Sequence, residues 1–267
     1  MKKTPQSDAP FLRSVEGHVV LITGAASGIG CATARLFSGQ GAKVAVTDLH
    51  QEEVDAVVAS ITAAGGQAKG WPLDVTDSER IRQVVKEVAA WGNCEEPCLD
   101  VLVNNAGVSR PAAIDAHDYE KIWEVSLSVM LTAQMRMIRA ALPFLRVAKA
   151  ARIINISSTE GVGGSAGAAA YTAAKHGVVG LTRSLAVELG REGITVNAVG
   201  PGPIETGMTA EIPDEMKEKF ARRRVPLRRY GKPEEVAHAI LNLALPASSY
   251  VTGHLLMVDG GMTIKNN

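Results

Sequence analysis

Three side chains in this sequence have the types and spacing for proton chemistry at an oxygen: Ser158, Tyr171 and Lys175. Tyr171 and Lys175 stand four residues apart in the stretch Ala-Ala-Ala-Tyr-Thr-Ala-Ala-Lys-His-Gly. Such alanine-rich sequence forms helix, and positions i and i+4 share one helix face. An ammonium beside a phenol favours the phenolate, which draws the tyrosine pKa down from its usual ~10. A tyrosine tuned in that way can give a proton to a carbonyl or take one from an alcohol. Ser158 precedes the tyrosine by thirteen positions and adds a hydroxyl, with the adjacent Ser157 as its rival.

Such groups need a rigid frame, and the hydropathy pattern describes one. Apolar runs of strand length alternate with helix-period segments from end to end. Strands are expected at residues 18–23, 43–47, 67–73, 99–103, 152–157, 194–199 and 254–258. Helices are expected at 28–40, 51–64, 77–91, 118–147, 171–191 and 233–245. Pro143 is expected to kink or end the long one. The first helix should turn Ile29, Ala32, Leu36 and Phe37 inward, and the third Ile81, Val84, Val85 and Val88. Strands that are apolar throughout are covered on both faces, which calls for a parallel sheet between helical layers. The expectation is an α/β protein: a single doubly wound (Rossmann) domain, a seven-stranded parallel sheet with helices on both faces. Residues 1–16 read as a flexible tail before a domain at 17–267, with no linker or repeat inside it.

Composition narrows the function. The chain has 267 residues, and 28 Lys and Arg balance 28 Asp and Glu. That neutrality gives no electrostatic case for nucleic acid or an anionic membrane. No apolar run reaches the ~20 residues of a membrane helix. The basic start, Met1-Lys-Lys, is not followed by an apolar leader segment, so a cytoplasmic location is expected. Of three cysteines, Cys31 falls in a helix. Cys94 and Cys98 read as two loop thiols, because an odd count argues against a disulfide framework and no second ligand pair completes a metal site.

The first strand runs into Thr23-Gly-Ala-Ala-Ser-Gly-Ile-Gly30. Glycines at 24, 28 and 30 allow a tight turn and let backbone N–H groups approach a pyrophosphate at a helix N-terminus. Gly24, Ser27, Gly28, Ile29 and Gly30 are the expected phosphate contacts. Asp48 ends the second strand, 18 residues after Gly30. A carboxylate there accepts from ribose hydroxyls and repels a 2′-phosphate, so the expected cofactor is NAD rather than NADP.

Together these features resemble the short-chain dehydrogenase/reductase family from about Gly17 to Gly261. The glycine turn, Asp74 in Leu-Asp-Val, Asn104-Asn-Ala-Gly107, Ser158, Tyr171-x3-Lys175 and Pro201-Gly-Pro-Ile-Glu-Thr206 follow in the family's order. The resemblance implies Tyr171 as general acid or base, and it selects Ser158 to hold the substrate oxygen. It implies that Lys175 lowers the Tyr171 pKa and binds the nicotinamide ribose beside Tyr171. Asp74 and Val75 would meet the adenine, Asn105 and Ala106 the adenosine ribose, and Ile204 and Thr206 the carboxamide. It also places Ser126 where the family carries a fourth catalytic residue, an asparagine that helps hold a water; serine is shorter and lacks the amide.

The implied activity is hydride transfer between NAD(H) and a secondary alcohol or ketone. Cyclic alcohols, hydroxysteroids, dihydrodiols and small secondary alcohols all stay open as small-molecule partners. A lid at residues 205–230 and the small stretch 161–170 suit an uncharged, partly apolar substrate. The alternatives are a 3-oxoacyl-thioester (acyl-carrier-protein) reductase, whose NADPH-linked form Asp48 opposes, and a non-catalytic dinucleotide sensor. A homotetramer is implied by resemblance. His176, the capping pair His117 and Asp118, and the arginines at 222–224 and 228–229 read as bystanders to the chemistry.

Overall fold

The computed structural model describes residues 13–92 and 95–265. Its seven strands are β1 (Val19–Thr23), β2 (Lys43–Asp48), β3 (Gln67–Pro72), β4 (Val101–Asn104), β5 (Arg152–Ile156), β6 (Thr195–Pro201) and β7 (Leu255–Val258). The helices are α1 (Gly28–Gly39), α2 (Gln51–Ala63), α3 (Ser78–Trp91), α4 (Tyr119–Leu127), α5 (Ala133–Leu145), α6 (Ala169–Leu189), α7 (Asp214–Arg224) and α8 (Pro233–Ala244). The strands form one all-parallel sheet in the order β3-β2-β1-β4-β5-β6-β7. This is the expected doubly wound architecture.

Alternation along the strands divides the core between the two faces. Val20 and Ile22 of β1 pack with Phe37 of α1, Val54 and Ile61 of α2 and Ile240 of α8. Val19 and Leu21 of the same strand face the other way, onto Val84 and Val88 of α3, Met137 of α5 and Leu189 of α6. The third helix buries Ile81, Val84, Val85 and Val88 as its periodicity predicts. In α1 the buried set is Gly30, Thr33, Ala34, Phe37 and Ser38. Ile29 and Leu36 are only partly buried, so the stripe is rotated by about one residue from expectation.

Two corrections concern the long helix and the cysteines. The segment expected as one helix over 118–147 is divided at a π-helical turn, Ser128–Thr132. Pro143 sits inside α5, which runs on to Leu145, so the proline does not end it. Asp118 occupies the position before α4, but its side chain makes no cap bond. Cys98 is buried and disulfide-bonded, not a loop thiol. The odd count misled because Cys31 is the free cysteine; Cys94 and most of the expected N-terminal tail lie outside the described residues.

The sheet order reverses between β1 and β4, which leaves a crevice at the carboxyl ends of the strands. The turn after β1, Asp48 ending β2, Asn105 after β4, Ser158 after β5 and the segment following β6 all belong to that end.

Candidate active site

The turn from β1 to α1 is built for close backbone approach. Gly24 adopts φ +64°, and a Cβ there would lie 2.8 Å from the Cα of Ala106. A Cβ at Gly30 would lie 2.1 Å from the Gly24 carbonyl oxygen, so neither position takes a side chain without moving backbone. Ser27 stands at the N-cap of α1 in extended conformation with no side-chain cap bond. No acidic residue occupies the first turn of α1. The N–H groups opening this helix therefore face no competing carboxylate from their own first turn.

Neighbouring loops clasp this turn. Asn105 donates both amide hydrogens to carbonyl oxygens, of Thr23 and of Gly24, each at 2.9 Å. The Thr23 hydroxyl oxygen accepts from the backbone N–H groups of Asn105 and Ala106 at 3.0 and 3.1 Å. The Asn105 side chain and the N–H groups of Asn105 and Ala106 are thus committed to holding the glycine turn. Asp48 accepts from Ala26 N at 2.9 Å and from Leu49 N at 2.8 Å, one bond per carboxylate oxygen. A carboxylate has about four lone-pair positions, so two stay open for hydroxyl donors. Glycines that exclude side chains, an uncontested helix N-terminus and an acceptor at the β2 end fit a nicotinamide dinucleotide.

Asp74 is exposed and closes a turn of its own, its carboxylate accepting from Thr76 N and Thr76 Oγ1, both at 2.8 Å. The α3 cap is supplied instead by Asp77, which accepts from Glu79 N and Arg80 N. Val75 beside Asp74 is buried. At the other end of the crevice Ile204 is buried and bridges Gly231. Thr206 lies against the glycine turn, its Cγ2 3.2 Å from where a Gly28 Cβ would be. A cavity of about 760 Å³ borders Gly28 and Thr206, between α1, α8 and the 205–210 segment. It includes none of Ser158, Tyr171 or Lys175.

The chemistry-bearing trio converges where β5 ends and α6 begins. Buried amides register the two elements: Asn104 donates to Asn155 Oδ1 at 2.9 Å, and Asn155 donates to Thr182 Oγ1 of α6 at 3.0 Å. Ser157 donates to the backbone carbonyl of Lys175 at 3.0 Å. That bond makes Ser157 an anchor for α6 and leaves Ser158 as the serine facing Tyr171. Ser158 Oγ accepts from Glu160 N at 3.1 Å and is hydrogen-bonded to Tyr171. Lys175 is buried; its Nζ donates to Ile156 O at 2.8 Å and lies 5.5 Å from the centre of the Tyr171 ring.

Electrostatics here correct the expectation for the tyrosine. Burial pushes the Tyr171 phenol above its ordinary value; the Ser158 hydrogen bond opposes this, and the charge of Glu160 adds to it. Burial outweighs any lowering by Lys175, whose ammonium lies over the phenol ring and donates to the Ile156 carbonyl. Burial also draws Lys175 down to about 8. Burial thus biases both groups toward their neutral forms, while Lys175 keeps its proton below pH about 8.

Glu160 is a site residue that the sequence reading missed. It accepts from Ser165 Oγ at 2.7 Å and Thr172 Oγ1 at 2.5 Å, tying the small-residue stretch to the start of α6. Its position two residues after Ser158 is the only sequence signal. Ser126 is buried in α4, two residues before the π turn begins. His176 is exposed, with Nδ1 3.0 Å from Thr172 O, and takes no part in the trio. Arg229 pairs with Glu235 through two bonds on the surface, and Arg222 pairs with Glu218.

A family model described as Enoyl-(Acyl carrier protein) reductase matches residues 24–263. The chain belongs to the short-chain dehydrogenase/reductase family. It is 42% identical over 251 residues to the 3-oxoacyl-[acyl-carrier-protein] reductase FabG of Thermotoga maritima, covering 94% of this chain and 99% of that one. It is 41% identical over 247 residues to a cis-4-hydroxycyclohexanecarboxylate dehydrogenase of Sinomonas cyclohexanicum, covering 92% and 96%. Similarity of 40% over 251 residues extends to the (2S)-[(R)-hydroxy(phenyl)methyl]succinyl-CoA dehydrogenase subunit BbsD of Thauera aromatica, covering 94% and 98%. As a short-chain dehydrogenase/reductase, the protein is an oxidoreductase of alcohol or ketone groups that takes a nicotinamide dinucleotide. Among the described residues no helix is long and apolar enough to cross a membrane.

Proposed function

We propose that this short-chain dehydrogenase/reductase is an NAD-dependent enzyme that interconverts a secondary alcohol and its ketone at Ser158, Tyr171 and Lys175. The observation that carries the reading is the Ser158–Tyr171 hydrogen bond above the buried Lys175. A bound nicotinamide dinucleotide supplies or accepts the hydride. The Ser158 hydroxyl donates to the substrate oxygen and opposes charge developing there. Tyr171 gives its proton to that oxygen in reduction and takes it back in oxidation. Lys175 holds a positive charge beside the phenol and reaches the ribose hydroxyls. Gly24, Ser27, Gly28, Ile29 and Gly30 receive the pyrophosphate, and Asp48 the adenosine ribose. Asp74 and Val75 meet the adenine, Asn105 and Ala106 pass the ribose, and Ile204 and Thr206 orient the carboxamide.

The substrate class is an uncharged, partly apolar ring or chain. The 205–230 segment acts as its cover, with Met208, Met216 and Phe220 exposed. A homotetramer is part of the same reading, supported by exposed apolar Trp123, Met135 and Val187 on α4, α5 and α6; a monomer by size-exclusion chromatography would refute it. So is a cytoplasmic location. The second reading is a 3-oxoacyl-thioester reductase, favoured by the 42% identity to the Thermotoga maritima protein.

A panel of cyclic alcohols, hydroxy acids, ketones and 3-oxoacyl thioesters, each with NAD(H) and NADP(H), tests both readings through the absorbance of the reduced nicotinamide. Tyr171→Phe serves as the blank. Turnover with NAD(H) that disappears in the variant is expected. Fastest turnover of a 3-oxoacyl thioester would favour the second reading. No turnover anywhere would leave a non-catalytic dinucleotide-binding protein.

A further inference from the structure

Two unmet hydrogen-bonding needs sit on one carbonyl oxygen. Lys175 is only 3% exposed, and its ammonium carries three N–H donors. Ile156 O, at 2.8 Å, takes one of them. Gln134, the second residue of α5, is also 3% exposed and directs its Nε2 at the same Ile156 oxygen, at 3.5 Å. Its Oε1 is buried and accepts no hydrogen bond among the described residues. A buried cation with donors to spare therefore lies beside a buried acceptor with no donor, each reaching one carbonyl. Both deficits are costly when apart, and joining them relieves both.

The placement of Gln134 has a specific local cause. It follows the π turn at Ser128–Thr132, where the backbone gains one residue relative to an α-helix. That insertion changes which residues of α5 face inward, and Gln134 is buried together with Met137, Ile138 and Ala141. A polar side chain on such a face calls for a partner, and π turns are frequent at functional sites.

We propose that Gln134 is a positioning residue for Lys175: its amide oxygen accepts from the lysine ammonium, directly or through one water, while its amide nitrogen stays on Ile156. The ammonium is thereby held beneath the Tyr171 ring as a charged group. Tyr171 on its own helix faces it, and Glu160 in the turn after β5 acts on Tyr171. Neither shifts the lysine, whose lowering comes from burial. The functional meaning of this bond rests on the proposed role of Lys175, but its existence does not.

The test reads Lys175 directly in the cofactor-free protein, with no turnover needed. The protein is labelled with 13Cε/15Nζ-lysine, and the Lys175 signal is assigned by its loss in Lys175→Met. Gln134→Leu removes the acceptor, and the Lys175 titration midpoint should fall by about half a pH unit or more, a roughly threefold change in its protonation equilibrium. Gln134→Glu supplies a charged acceptor at the same reach, and the midpoint should rise. If the leucine variant fails to fold, the glutamate variant alone decides by the same shift. Midpoints unchanged from the parent in the folded variants would overturn the proposal. In an active enzyme, the pH profile of kcat should move with the midpoint while KM for the cofactor changes less than twofold. A profile that stays fixed while the midpoint moves would overturn the functional part alone.

Discussion

Lys175 and Ile156 are joined by a 2.8 Å hydrogen bond that ties the buried ammonium of α6 to the last residue of β5. The bond runs from a side chain with chemical potential to a backbone carbonyl with none. The cation is therefore held at a fixed depth at the carboxyl end of the sheet, and the phenol of Tyr171 stands over it.

That arrangement gives different weights to the two hydroxyls. Tyr171→Phe removes the proton donor, and turnover should fall by about 10²–10⁴-fold. Ser158→Ala should cost about 10²–10³-fold, because it removes one donor to the substrate oxygen. Both variants should keep the parent thermal midpoint within a few degrees. Full activity in Tyr171→Phe would remove the tyrosine from the mechanism.

Lys175 has a stability consequence of definite sign. Its folded value of about 8 lies below the ordinary 10.5, so between those values the unfolded chain binds the extra proton. Stability then rises as pH climbs from about 8 toward 10.5 and is lowest below 8, where a charge must be kept buried. Lys175→Met removes that burden. The variant should be more stable than the parent at pH 7 by on the order of 2 kcal/mol in denaturant unfolding. The gap should narrow by pH 10, while turnover drops at least about 100-fold. A variant less stable at pH 7 would contradict the assignment.

Asp48 is both a loop clamp and the proposed ribose acceptor. Asp48→Ser should weaken NAD binding far more than NADP binding in a fluorescence titration. Losing the bond from Ala26 N should also lower stability by about 0.5–1.5 kcal/mol. Equal losses for the two cofactors would leave Asp48 with the clamp role alone.

Ser126→Asn restores the amide expected in the family at that position. The side chain is buried in α4, two residues before the π turn begins. Either turnover should rise or the pH profile should shift. A variant indistinguishable from its parent in both would make the position neutral.

Much of this is legible in the sequence itself. Strand-length apolar runs such as residues 18–23 and 152–157 have only one economical use, the middle of a parallel sheet; the order of the strands comes from the structure. The Tyr171–Lys175 spacing alone placed both groups on one helix. What escaped depends on bonds between distant segments. Nothing in the local sequence tells that Asn105 would bind the Thr23 and Gly24 carbonyls, or that Ser157 would anchor α6 through Lys175 O. The π turn escaped because its residues, Ser-Val-Met-Leu-Thr, continue an ordinary helical pattern. Lys175 was expected to lower Tyr171 because proximity was inferred without depth, and burial governs both groups.

The π turn makes the segment from Tyr119 to Leu145 a single rod with two phases. One added residue offsets the second half by about 100° relative to the first. Each half can then answer to different neighbours, α4 to α6 and α5 to α3. Deleting any one residue within 128–132 would bring the halves back into phase, and one of them would have to swing its buried face into solvent. Insertions and deletions there, more than substitutions, are the changes this protein can least absorb.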